Sequence, residues 1–379
     1  MNRKRILIAP NSFKECADSV TIAELIKTNL IIHGNAELIT KPISDGGDGF
    51  LAVCKYYFGG EIKNYLISTP FDDSKFECPI LVNYYQKSIY IESAEVLGFK
   101  VVPNGKRDPL SLSSKGLGEL LIKLNEEVIS GSLKAEKIYI GIGGTTTIDM
   151  GLGMMSQLGL ELFNSDGKEL AVLPKYFGET FSISFKSFRL SFSLHPVIDV
   201  INPLFGNGNG IRVFGRQKGA DEVTIQLLED YFNHLLNLIE NNNLLVSFEE
   251  LSGAGGGIPA ALQIFFNSQL IHSEYFISEY LKLDANISDV DYLITGEGSF
   301  DKQSLSGKGA GRMIEKFSKQ VQSIFLICGE VNEDVMNHLP ENVHIIQLVD
   351  FFSNKTESIK RFNEGINKAC DSIIEELNF

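Results

Sequence analysis

Glycine is gathered in this sequence where chemistry could use it. Five runs stand out: SDGGDG at 44–49, GIGGTTTIDMGLG at 141–153, FGNGNG at 205–210, SGAGGG at 252–257 and TGEG at 295–298. Several follow an apolar run of β character. A glycine turn between a strand and a helix lets backbone N–H groups approach an anion closely, and the helix start adds partial positive charge. Any one run taken alone reads as a tight turn, since glycine is the default turn residue. These runs, however, carry carboxylates and hydroxyls: Asp45 and Asp48 in the first, Thr145, Thr146 and Asp149 in the second, Glu297 and then Asp301 at the last. Lys14, Lys218 and Lys308 stand in or beside loops of the same kind. Such a set suits a phosphate or another small anion.

The common nucleotide signatures are missing. Lys308 follows Gly307, but Lys302 stands where a phosphate-binding loop needs its first glycine, and Gly309 where it needs Ser or Thr. Gly141 and Gly143 begin a dinucleotide-binding pattern whose third glycine is replaced by Thr146. Neither a nucleophile elbow, an H-E-x-x-H helix nor a protein-kinase catalytic loop is present. The six histidines fall in no motif, and His195, before Pro196 in a strand-like run, reads as structural.

The elements that must hold these loops follow from periodicity. RILIAPNSFKECADSVTIAELIKTNL is a short β run, a polar loop, then apolar Val20, Ala23, Ile26 and Leu30 at helical spacing, with Asp18 or the Thr21–Glu24 pair as cap. The same grammar returns in DYLITGEGSFDKQSLSGKGAGRMIEKF, SIFLICGEV and VHIIQLVDF, which indicates parallel βα units. Between them ILVNYYQKSIYIESA alternates like a hairpin turning near Gln86 and Lys87, and FSISFKSFRLSFSLHPVIDV alternates again. The expected fold is α/β with two domains: one from both chain ends, 1–64 with 285–379, and an inserted mixed domain, 65–284.

The length of 379 residues, with 44% hydrophobic and 22% charged, supports two folded cores. A net charge of −14 offers no general attraction to nucleic acid or an anionic membrane. One lysine about 4 Å from a phosphate still contributes on the order of 4 kcal/mol at an effective dielectric near 20, so local lysines decide anion binding. Five scattered cysteines, odd in number and never in a C-x-x-C pair, argue for a reducing cytoplasm and against a zinc site. The opening MNRKRILIAP reads as a first strand rather than a secretory leader, and no apolar stretch approaches the roughly 20 residues of a membrane span.

Taken together, APNSFKE, PISDGGDG, ESAEVLGF, IGIGGTTTIDMGLG, DVINPLFG, VFGRQKGA, SGAGGGIPAAL and TGEGSFDKQSLSGKG resemble, in this order, the bacterial glycerate kinase family that includes the glycerate 2-kinases of glucarate and glyoxylate metabolism. The resemblance runs from about Ile6 to Gly329. It implies a flavodoxin-like parallel-sheet domain from the two ends, an inserted α/β domain and an active site in the cleft between them. It also implies ATP-dependent phosphorylation of D-glycerate with Mg2+, the 2-position being favoured as acceptor. Three departures from the family pattern stand out: Asn11 where Asp is usual, Ile148 where Asn is usual, and Thr145–Thr147 for a Ser-Ala-Thr run. The first removes a carboxylate that could have held metal or acted as base.

Phosphoryl transfer asks the protein to offset charge on three equatorial oxygens, align a hydroxyl and accept its proton. Under the resemblance Lys14, Asp45 and Asp199 are the catalytic candidates, Asp199 because it ends a β run. Asp45, Glu297 and Asp301 are the metal candidates, with helix capping the alternative for Asp301 and turn capping for Asp48. Ser12, Gly46, Gly47, Gly143, Gly144, Thr145, Thr146, Lys218, Gly296, Gly298 and Lys308 are the candidate substrate or nucleotide contacts, with Ser113 and Ser114 in second rank. An NAD-linked hydroxy-acid enzyme and a catalytically silent small-molecule sensor are the rival readings. Homo-oligomerisation is left open.

Overall fold

The computed structural model describes residues 3–14, 16–31, 36–186, 188–244, 250–282, 287, 289–305 and 308–378. The chain divides into two compact units, Met1–Tyr57 with Glu274–Phe379, and Phe58–Ser273. Residues 58–64 thus belong to the inner unit, and residues 274–282, expected in the inserted domain, belong to the terminal unit; the joint expected near residue 285 falls instead after Ser273.

The terminal unit is built on five strands, β1 (Lys4–Ile8), β2 (Ala36–Thr40), β12 (Tyr292–Phe300), β13 (Ser323–Val331) and β14 (Val343–Gln347), in the order β14-β13-β12-β1-β2. Every pairing is parallel. The central strands are continuous apolar runs because helices cover both faces of such a sheet: Ile6, Leu7, Ile8 and Ala9 have no exposed surface. Helices Ser19–Ile31 and Phe362–Leu377 join one core through Ile22, Ile26, Leu30, Ile366 and Ile373. Asp18 Oδ1 accepts from the Thr21 N–H at 2.8 Å, so Asp18 caps the first of these helices. β1 lies between β2 and β12, the place where chain order reverses. In open parallel sheets the carboxyl ends of the strands at such a point form the ligand crevice.

In the inner unit β3 (Glu61–Ser68), β4 (Lys75–Asn83), β5 (Ser88–Glu92), β6 (Lys137–Ile142), β10 (Ser193–Ile198) and β11 (Ile271–His272) form a sheet ordered β11-β10-β6-β5-β4-β3. The pairs β3/β4 and β4/β5 are antiparallel, and the rest parallel. The expected hairpin is present: Asn83 pairs with Ser88, and Lys87 takes a positive φ of 51° in the turn. β7 (Leu160–Phe163), β8 (Glu169–Leu170) and β9 (Ser182–Phe185) make a small separate antiparallel sheet. The core of this unit gathers Ile89, Ile91, Ile138 and Ile140 from the sheet with Leu117, Leu121 and Leu124 of helix Lys115–Ser130.

One boundary differs from the sequence reading. β12 continues through TGEG to Phe300, so Glu297 sits within the strand, opposite Cys328, rather than in a loop after it. The glycines there are sites of close backbone approach: a Cβ on Gly296 would stand 2.0 Å from the Ile327 carbonyl oxygen.

Candidate active site

In the terminal unit the loop after β1 folds across the end of β12. The Asn11 N–H donates to the Gly296 carbonyl at 2.8 Å, and a Cβ on Gly298 would stand 3.2 Å from the Lys14 backbone nitrogen. Asn11 is only 3% exposed. Its Oδ1 accepts from the Ser12 N–H at 2.9 Å, and its Nδ2 donates to Asp45 Oδ2 at 3.2 Å. Asp45 Oδ1 accepts from the Gly47 N–H at 3.0 Å, so both carboxylate oxygens of this half-buried aspartate are oriented. Gly46, at φ 92°, supplies a backbone conformation that L side chains rarely adopt.

Helix Gly309–Phe317 completes the cluster. Gly309 has φ 48°, and a Cβ on it would lie 2.7 Å from Asn11 Nδ2 and 2.8 Å from Glu297 Oε2. The absence of a side chain lets the helix start, with its partial positive charge, reach the Glu297 carboxylate. Four segments far apart in sequence therefore meet at one point: Asn11, Asp45, Glu297 and Gly309. Burial pushes the neighbouring Cys328 thiol well above its ordinary range, and Glu297 adds to the shift.

Other expected residues of this unit have other partners. Lys14 is exposed on a tight turn in which the Cys16 and Ala17 N–H groups both donate to the Phe13 carbonyl. Asp301 Oδ1 accepts from the Gln303 N–H at 2.7 Å and the Ser304 N–H at 3.3 Å, the capping arrangement for helix Lys302–Leu305. Lys308 donates to Gln303 Oε1 at 3.1 Å and precedes Gly309 as the residue that opens its helix.

The inner unit has its own cluster at the carboxyl ends of β5, β6, β10 and β11. The Gly143 N–H donates to Ser93 Oγ at 3.0 Å, and the Ser93 hydroxyl pairs with the Gly143 carbonyl. The Thr146 N–H and hydroxyl both donate to the Leu97 carbonyl at 2.8 Å. Asp199, directly after β10, accepts from the Ser273 hydroxyl at 3.2 Å. Lys218 is 5% exposed and donates from Nζ to Thr145 Oγ1 and to the Thr147 carbonyl, each at 3.0 Å. Burial lowers its pKa to about 7, opposed by the charge of Asp149.

Asp149 is an internal brace. It is fully buried and accepts from the Ser114 N–H and hydroxyl and from the Gly151 and Gly153 N–H groups. Burial raises its pKa against these hydrogen bonds. The glycine run SGAGGG serves packing: a Cβ on Gly256 would stand 2.0 Å from the Thr147 carbonyl oxygen. His195 is half-buried, stacked on Tyr139 with ring centroids 5.2 Å apart and hydrogen-bonded to Ser193, and burial lowers its pKa.

Sequence reasoning assigned no role to Asn11 or Gly309. The signal for Asn11 was its place in the loop that follows β1, and for Gly309 a glycine opening an amphipathic helix. Among the described residues no group of three or more His, Cys, Asp or Glu side chains is placed to hold a metal. Asp45 and Glu297 offer hard oxygen donors for a divalent cation that takes its remaining ligands from water or substrate.

A family model described as the glycerate kinase family matches residues 6–378. The glycerate 2-kinase of Escherichia coli K12 is 33% identical over 97% of this chain and 95% of its own length. The glycerate kinase of Neisseria meningitidis serogroup B strain MC58 is 30% identical over 89% of each chain. A crystal structure provisionally named glycerate kinase 2 of Salmonella typhimurium LT2 superposes with a TM-score of 0.70 at 25% identity, covering 100% of both chains.

Proposed function

The chain belongs to the glycerate kinase family, and from that premise we propose that it transfers the γ-phosphoryl group of Mg-ATP to the 2-hydroxyl of D-glycerate, releasing ADP and 2-phosphoglycerate. The observation that supports this reading most is the meeting of Asn11, Asp45, Glu297 and the helix start at Gly309 on the carboxyl edge of the terminal sheet. Phosphoryl transfer demands placed charge rather than covalent partners, and this edge offers two carboxylates, backbone donors and a helix start.

Magnesium fits the donor set. It keeps several waters and binds through one or two carboxylates plus phosphate oxygens, so Asp45 and Glu297 would hold it, with Asp301 the third candidate. When bound, the ion offsets charge on the phosphate oxygens as the group transfers. The protein's own residues do the rest. Lys14 and Lys308 supply positive charge to the phosphates, and Ser12, Gly46, Gly47, Gly296 and Gly298 supply close backbone and hydroxyl contacts. In the inner unit the Gly143–Thr146 turn, in which Gly143 and Gly144 are part-exposed, takes the carboxylate of the acid or a phosphate. Asp45 and Asp199 are the two candidates for accepting the hydroxyl proton.

The five cysteines stand in no C-x-x-C pair, and a reducing compartment such as the cytoplasm is part of the same proposal. No helix among the described residues is long and apolar enough to cross a membrane. The test is ADP release by the purified protein with D-glycerate and Mg-ATP, with phosphorus NMR of the product. Phosphate on the 2-hydroxyl is expected. Turnover without magnesium, or a 3-phosphorylated product, would overturn the corresponding part of the proposal.

A further inference from the structure

Lys218 closes the short turn Arg216–Lys218, and Gly219 follows at φ 98°. A Cβ on Gly219 would stand 2.6 Å from the Arg107 carbonyl oxygen, so only glycine lets the chain turn this tightly behind the lysine. The two acceptors of its ammonium, Thr145 Oγ1 and the Thr147 carbonyl, belong to the segment directly after β6. The Thr147 carbonyl is also approached by Gly256, whose own carbonyl accepts from the Met150 N–H at 2.9 Å. Within that segment Thr145, Thr146 and Thr147 are buried, and Gly143 and Gly144 reach solvent. The ammonium therefore touches the buried half of a turn whose other half is part-exposed.

Resting on the kinase reading, we propose that Lys218 is a positioning residue that clasps Thr145 and Thr147 from the protein side and so fixes the Gly143–Gly144 turn in the shape that receives the carboxylate of the acid substrate. A buried ammonium is a costly way to gain stability, and a well-packed apolar side chain would cost less. What it supplies is two directional, charge-assisted hydrogen bonds on one short segment. Among the described residues, Asp149 is the charged group that acts on it. Asp149 is committed to Ser114, Gly151 and Gly153. Arg212, on the packed helix Gly210–Phe214, pairs with Glu222 and Glu229, and Arg216 pairs with Glu222. With its pKa lowered to about 7, Lys218 loses its proton as pH rises through neutrality, and the clasp weakens in that direction.

The experiment compares wild type with Lys218→Met in two arms: amide hydrogen exchange of residues 143–147, and steady-state kinetics with D-glycerate and Mg-ATP from pH 6 to 9. The expected result is faster exchange confined to that segment, with KM for D-glycerate raised about tenfold and KM for ATP unmoved, the size of one lost charged hydrogen bond. Wild-type kcat/KM for D-glycerate falls as pH rises through about 7, and the variant lacks this limb. Unchanged exchange, or faster exchange with unchanged kinetics and pH profile, overturns the proposal. Should Lys218→Met fail to fold, Thr145→Ser keeps the acceptor and retains wild-type exchange, whereas Thr145→Val removes it and does not; equal behaviour of the pair overturns the clasp. A wild-type protein inert toward D-glycerate overturns the kinase reading instead, and the exchange arm, which needs no substrate, still decides the clasp.

Discussion

Asp45 and its orienting partner Asn11 carry the strongest expectation at the scale of single residues. Lys14→Ala and Asp45→Ala each lower kcat by roughly a hundredfold to a thousandfold, the loss of a transition-state contact of about 3–4 kcal/mol, with melting temperature near that of wild type. Near-normal turnover in both variants would remove these residues from the site. Asn11→Ala is milder. It frees Asp45 Oδ2 while Gly47 still holds Oδ1, so kcat falls about tenfold, the worth of one hydrogen bond to a charged group. Asparagine suits this position physically: its amide gives one hydrogen bond to a carboxylate and takes another from the Ser12 N–H, where a second carboxylate 3.2 Å from Asp45 would repel it.

The strand β12 and the helix Gly309–Phe317 decide the next scale, because both depend on missing side chains. Gly296→Ala drives a methyl group to within 2.0 Å of the Ile327 carbonyl oxygen, parting β12 from β13, and lowers stability by several kcal/mol in urea titration. Gly309→Ala costs only about 1–2 kcal/mol for the left-handed backbone but displaces Asn11 and Glu297, so activity falls far more than stability. Equal losses in both measurements for Gly309→Ala would mean that the position serves folding alone. Asp301 separates two roles at the helix it caps. Asp301→Asn preserves the cap and the melting temperature while raising the magnesium concentration for half-maximal rate, and Asp301→Ala also loses about 1 kcal/mol of stability. An unaltered magnesium dependence in both variants would leave Asp301 as a cap only.

Across the whole molecule the buried Lys218 links stability to pH. Its folded pKa, lowered to about 7 from 10.5, means that the unfolded chain binds the extra proton between those values. Stability from this group is therefore fully present above 10.5 and is lost as pH falls toward 7. Asp149 acts in the opposite sense at acid pH: its raised pKa gives a contribution present below 3.8 and lost as pH rises through the folded value. The melting temperature of wild type minus that of Lys218→Met accordingly increases between pH 7 and 10. A flat or falling difference over that window would contradict the buried, titrating ammonium. The sequence by itself determined the two kinds of unit, the βα grammar of both chain ends, the hairpin at Gln86 and Lys87, and the family, because local periodicity and turn residues encode elements and eight motifs in order leave one family. It also marked Lys14, Asp45 and Glu297 as polar groups beside strands. Only the tertiary structure decided which glycines make turns and which admit a neighbouring backbone, since both uses need the same missing side chain. Likewise, a carboxylate that caps a helix, one that braces the interior and one oriented by a neighbouring amide share one chemistry and differ only in which donors the fold brings to them, as Asp301, Asp149 and Asp45 do here.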